Sequence, residues 1–184
     1  MDLSQAALLI IDMQAGIRDP RWFEAGPRNN PDAEARMADL LAAWRGAGRR
    51  ALHVRHEGSG PGSAFSGAGF EFLEALAPRA DDAVLTKRAR SAFAGTDLEA
   101  RLRAEEISTL VLCGVITNNS VEATARHGSD IGFDVIVAED ACYTFAKRDG
   151  ARLWSAEDVH ALSLANLRGE YAHIASSADI VAAV

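Results

Sequence analysis

Cysteine, net positive charge and long apolar runs are what this sequence lacks. Only Cys113 and Cys142 are present, too few for a disulfide framework. A reducing, cytoplasmic setting is the simplest expectation. Lys plus Arg number 19 against 26 Asp plus Glu, a net charge of −7. That balance offers no positive footprint for tracking a nucleic-acid backbone. The apolar run near the amino end, Ala6–Ile11, falls far short of the ~20 residues a bilayer-spanning helix needs. Before it stands Met1-Asp2-Leu3-Ser4-Gln5, without the basic start of a secretory signal. No membrane, nucleic-acid or leader role is therefore expected.

What is present is an ordinary globular balance, 48% hydrophobic and 24% charged over 184 residues. That size suits one domain, 1–184. Strand and helix signals alternate along it. Ala6–Asp12, Arg50–Arg55, Ala83–Lys87, Thr109–Cys113, Val135–Ala138 and Ala172–Ser176 read as strands. The first is apolar throughout, as suits a parallel strand covered on both faces. Helices are predicted over 31–48, 70–76, 97–105, 120–130, 156–167 and 178–184. Thr96, with Glu99 three residues on, and Ser155 are the predicted N-caps for two of them. Gly58–Gly69 reads as a loop. The alternation predicts an α/β three-layer sandwich: a mainly parallel six-stranded sheet with helices on both faces.

In open α/β sheets the functional crevice lies beyond the carboxyl ends of the strands. Three predicted strand ends carry chemistry there. Asp12 closes the first strand, Lys87 the third, and the turn Gly114–Ser120 follows the fourth. If the first, third and fourth strands are neighbours, the acid, the ammonium and the backbone N–H groups of a helix start meet on one rim.

The segments that carry these residues resemble the isochorismatase-like cysteine hydrolase superfamily, which includes nicotinamidases and N-carbamoyl amidohydrolases. Leu8-Leu9-Ile10-Ile11-Asp12-Met13-Gln14 is similar to its opening strand and aspartate. The stretch from Lys87 through Ser91-Ala92-Phe93 to Leu98 resembles its lysine segment. The turn from Gly114 through Thr117-Asn118-Asn119-Ser120 to Arg126 resembles its nucleophile turn. Glu139–Cys142 and Val159–Leu167 match later stretches in order. The resemblance implies a hydrolase for a small amide, carbamoyl or related C–N or C–O substrate. A nucleophile attacks the carbonyl, the aspartate moves the proton, the lysine lowers the nucleophile's pKa, and backbone N–H groups hold the oxyanion. Transferred residue by residue, Asp12, Lys87 and position 120 carry the reaction. The amides of Ile116 and Ser120 form the oxyanion hole, with a cis bond between Val115 and Ile116.

At position 120 the pattern departs. The family's cysteine is Ser120 here, and an alcohol ionises far less readily than a thiol near pKa 8.5. Two origins stay open: an introduced Cys→Ser replacement, or a natural serine. Three outcomes stay open with them: a serine hydrolase, a water-activating site, or a vestigial member that binds without normal turnover. Cys113, inside a strand, reads as core, and Cys142 as a lesser candidate near the rim. Ser120 also suits an N-cap.

Gln14, Phe65, Phe93, Asn118 and Asn119 are the candidate substrate-binding residues, with Trp22 as a further wall. Against each stands a plainer role in packing or turn geometry. His53, His56 and His160 raise the question of a metal. Their spacing, His53-Val54-Arg55-His56-Glu57, lacks the Asp-x-His seen in nicotinamidase relatives, so no metal and no cofactor are expected. The stretch 16–30 reads as a lid or an oligomer contact. The expected partners are a small-molecule substrate and, by resemblance, further copies of the chain.

Overall fold

The computed structural model describes residues 2–184. Its elements, in order, are β1 (Ala6–Ile11), α1 (Ala33–Gly46), β2 (Ala51–His56), β3 (Ala83–Lys87), α2 (Leu98–Ala104), β4 (Thr109–Val115), α3 (Glu122–Asp130), β5 (Asp134–Tyr143), β6 (Lys147–Asp149), β7 (Arg152–Trp154), α4 (Ala156–Leu167), β8 (His173–Ala175) and α5 (Ser177–Ala182). Six strands form one sheet in the order β3-β2-β1-β4-β5-β8, with every pairing in it parallel. This is the expected α/β architecture.

The sheet divides the apolar residues into two layers. Along β1, Ala6, Leu8 and Ile10 point to one layer, where Met37, Leu40, Leu41 and Trp44 of α1 and Ile180 of α5 meet them. Ala7, Leu9 and Ile11 point to the other, packed with Leu98 and Leu102 of α2, Ala125 of α3 and Leu164 and Leu167 of α4. Successive strand side chains alternate between faces, so a strand covered on both sides must be apolar throughout. Ser155 caps α4 as expected, its hydroxyl accepting from the Asp158 N–H at 3.0 Å.

Four expectations are corrected, and one hairpin was not expected. β3 is not beside β1: β2 lies between them, so Lys87 reaches the first strand's end across a neighbour. The predicted helix over 70–76 is instead two single 3-10 turns, Gly67–Phe70 and Glu74–Leu76, because the backbone between them bridges to the segment after β1, the Ala15 N–H donating to the Glu71 carbonyl at 2.8 Å and the Leu73 N–H to the Met13 carbonyl at 3.0 Å. The formal cap of α2 falls one residue later than expected, on Asp97, without a side-chain bond; the Thr96 hydroxyl still accepts from the Leu98 N–H at 3.3 Å and donates to the Ala92 carbonyl at 2.6 Å. β5 runs on to Tyr143, past the charged pair Glu139-Asp140. The hairpin of β6 and β7, six largely exposed residues, has no apolar alternation to announce it.

At the end of β4 the backbone lies close against β1. Gly114 has φ +121°, and a Cβ there would sit 2.2 Å from the Ile11 carbonyl oxygen. Only glycine fits. The pairing of β4 with β5 shifts register at this point, between Leu112 and Gly114.

Candidate active site

Asp12 leaves β1 with φ +55°, its N–H donating to the Val54 carbonyl at 2.8 Å. This left-handed residue turns the carboxylate out of the strand plane and over the sheet's carboxyl edge. Lys87, at the end of β3, lies fully buried along the same edge. Its ammonium donates to Asp12 Oδ2 at 2.8 Å, to Ser120 Oγ at 3.3 Å and to the Ala89 carbonyl at 3.2 Å. All three ammonium protons are thereby used. Asp12 Oδ1 accepts no hydrogen bond among the described residues, which leaves one carboxylate oxygen available to a proton.

The electrostatics follow from burial. Desolvation pushes the Asp12 carboxyl above the ordinary aspartate range, opposed by the Lys87 ammonium and then the Ser120 hydroxyl. Desolvation likewise pulls the Lys87 ammonium below its ordinary value, opposed by Asp12.

Ser120 stands in a wide π-type turn, Thr117–Val121, between β4 and α3. It does not cap α3; Val121 takes that position, again without a side-chain bond. The Val115–Ile116 bond is cis, as the resemblance implies. The turn is braced from two sides. His160 of α4 shares a hydrogen bond with the buried Thr117 hydroxyl at 2.8 Å. The Thr124 hydroxyl donates to the Ser120 carbonyl at 2.7 Å.

Above the three side chains opens a cavity of about 430 Å³ lined by Asp12, Ile17, Arg21, Trp22, His56, Ser63, Ala64, Phe65, Arg90, Val115, Ile116, Asn119 and Ser120. That volume suits a small organic molecule. The loop after β2 and the segment after Asp12 form its upper wall, interlocked at glycines: a Cβ on Gly69 would meet the Ala64 carbonyl oxygen at 1.9 Å, and one on Gly16 at 2.2 Å. Trp22 and Phe65 face each other there, ring centroids 6.1 Å apart.

The expected binding residues divide. Phe65, Asn119 and Trp22 line the cavity. Gln14, Asn118 and Phe93 do not, and each has another task. Gln14 is buried and spans two chain segments, donating to the carbonyls of His56 and Phe70 and accepting from the His56 N–H at 2.7 Å. Asn118 accepts from the Thr144 hydroxyl at 2.6 Å. Phe93 stacks on Phe133 in the lower core at 5.7 Å. Cys113 and Cys142 are fully buried and free, and burial raises the Cys142 thiol to about 12, so neither stands in for a nucleophile. The histidines lie at three separate places. His53 faces Asp82 at 3.3 Å, His56 lines the cavity and His160 holds Thr117. Among the described residues no group of three or more His, Cys, Asp or Glu is placed to hold a metal ion.

Sequence reasoning passed over Arg21 and Arg90, both on the cavity wall. Their signal, a charged run in a loop, is that of a solvated surface.

Residues 6–179 match the model of the isochorismatase domain. The chain belongs to the isochorismatase family, whose members are hydrolases. A solved isochorismatase-family protein from Chromobacterium violaceum shares 47% identity with it and superposes with a TM-score of 0.93, covering 100% of this chain and 96% of that one. The isochorismatase family protein YrdC of Bacillus subtilis is 34% identical over 178 residues, 95% of this chain and 94% of that protein. The ureidoacrylate amidohydrolase RutB of Klebsiella pneumoniae is 30% identical over 175 residues, 76% of this chain and 73% of that protein. Among the described residues no helix is long and apolar enough to cross a membrane.

Proposed function

We propose that the chain hydrolyses the C–N bond of a small amide, carbamoyl or ureido compound, with Ser120 supplying the attacking oxygen and Asp12 moving the proton. The observation that carries this reading is the single ammonium of Lys87, 2.8 Å from the Asp12 carboxylate and 3.3 Å from the Ser120 hydroxyl, at the foot of a substrate-sized cavity. An amidohydrolase among the relatives supports the bond class.

In this scheme Ser120 Oγ bonds to the carbonyl carbon as its proton passes to Asp12. The carbonyl oxygen, now negative, rests on the N–H groups of Ile116 and Ser120. The C–N bond breaks, and its nitrogen takes the proton from Asp12. Water then attacks the acyl-serine, gives a proton to Asp12, and Ser120 recovers it as the acid departs. Lys87 steadies the anionic carboxylate and the oxygen at 120 throughout. The resemblance also supports further copies of this chain as partners.

A second reading is binding without normal turnover. The serine itself favours it: an alcohol resists ionisation, and Lys87 donates a proton toward this one rather than removing one. A panel of small amides and N-carbamoyl compounds, assayed for released amine or ammonia, separates the two. Turnover by the native protein that falls at least ~10³-fold in Asp12→Asn and in Ser120→Ala supports the first reading. Turnover confined to Ser120→Cys supports the second.

A further inference from the structure

We infer that Arg90 binds a carboxylate on the substrate, so that the cavity selects small amide or ureido compounds bearing one negative charge away from the scissile carbonyl. This rests on the hydrolytic reading above and narrows it. The charges around the cavity are otherwise accounted for. Asp12 and Lys87 neutralise one another at 2.8 Å. Arg21 is turned onto Asp19, donating from Nε at 2.9 Å and Nη2 at 2.8 Å. In the run Lys87-Arg88-Ala89-Arg90, Lys87 pairs with Asp12 and Arg88 with Glu57 at 2.7 Å. Arg90 alone of the three cations pairs with no acid among the described residues, and it lines the cavity. The cavity wall therefore carries an uncompensated positive charge on a protein whose net charge is −7.

The backbone on either side of Arg90 is fixed. The Lys87 ammonium holds the Ala89 carbonyl at 3.2 Å, and the Ala92 N–H donates to Thr124 Oγ1 at 3.0 Å. Ser91 shares a hydrogen bond with His127 Nδ1 at 3.0 Å. Arg90 itself is exposed, so its guanidinium is free to meet a ligand, and its planar fork matches a carboxylate at two points. Burial and the charges of Lys87 and Arg90 hold His56, also on the wall, below its ordinary pKa. Ile17, Trp22 and Phe65 line the same cavity and give it apolar surface for a short carbon skeleton.

The test is calorimetric titration of N-carbamoyl-β-alanine and of its methyl ester into the Ser120→Ala protein, which binds without an acyl-transfer step, with and without Arg90→Gln or Arg90→Lys added. The expected result is tenfold or tighter binding of the acid over the ester, lost in Arg90→Gln and partly restored in Arg90→Lys. Equal binding of acid and ester overturns the inference, as does binding of neither, or a preference that survives Arg90→Gln. Hydrolysis by the native protein is followed separately. Charge-selective binding without turnover keeps the role of Arg90 and removes the hydrolytic reading; turnover without charge selection does the reverse.

Discussion

Lys87 is a lysine with no exposed side-chain surface, held by an aspartate that is itself buried. Removing one partner of such a pair leaves a bare charge inside the protein, which typically costs about 3–5 kcal/mol. Lys87→Met is expected to lower stability by that order in urea melts. The double variant Asp12→Asn/Lys87→Met is expected to recover to native stability or above. The pH dependence gives the same sign. Asp12 has a raised pKa in the folded protein, so its contribution to stability is full at acid pH and lost as pH rises through that value. Lys87 has a lowered one, so its contribution is full at alkaline pH and lost as pH falls through that value. In the neutral range between, both ionised groups weigh against the fold, and the neutral double variant gains relative to native there. The catalytic rate has the opposite preference, because proton abstraction needs the Asp12 carboxylate and the Lys87 cation together. kcat/KM is expected to follow a bell, its acid limb above the ordinary aspartate pKa and its alkaline limb below the ordinary lysine pKa.

Between β1 and β4 the site depends on one missing side chain. Gly114→Ala adds a Cβ 2.2 Å from the Ile11 carbonyl at a φ that other residues rarely adopt. Backbone strain and overpacking are each worth about 1–3 kcal/mol. The variant is expected to lose roughly 2–6 kcal/mol by thermal melting, and to separate Asp12 from Ser120 so that kcat falls. The π-type turn depends instead on α4. His160→Ala removes the hydrogen bond to Thr117, a loss of about 1–2 kcal/mol for a buried hydroxyl left unpaired. Because His160 does not line the cavity, kcat is expected to drop more than KM rises; an equal fall in stability with unchanged kcat would show that the contact only packs the helix. At this scale β1 to β4 were legible as apolar runs bounded by turn residues, as were α1 and the Ser155 cap of α4. The order of strands was not. Nothing in Ala83–Lys87 states that β2 intervenes before β1, since parallel pairing is set by crossovers and not by local pattern. Gln14 and Phe93 read as pocket residues for a related reason: each stands near a site residue in the chain, yet points into packing that only the assembled layers define.

On the scale of the whole molecule, a chain of net charge −7 folds so that Arg90, paired with no acid among the described residues, adds one uncompensated positive charge to the wall of the cavity above Asp12 and Ser120. Composition reports only the total, so this local reversal of sign was invisible until the loops after β1, β2 and β3 were placed together. The acid, the ammonium and the hydroxyl were legible because each closes or follows a strand and strand ends converge. The reversal also sets a salt dependence. If a carboxylate is drawn to Arg90, raising ionic strength is expected to raise KM for anionic substrates while leaving that of neutral ones nearly level, since screening acts on exposed charges.

The proposed chemistry turns on the oxygen at position 120. Its most direct measurement is the intact mass of the protein quenched during turnover of an activated acyl or carbamoyl ester, followed by peptide mapping. One adduct on Ser120, absent from Ser120→Ala and slow to form in Asp12→Asn, is the expected result. Steady turnover with no adduct at Ser120, persisting at the native rate in Ser120→Ala, would contradict it.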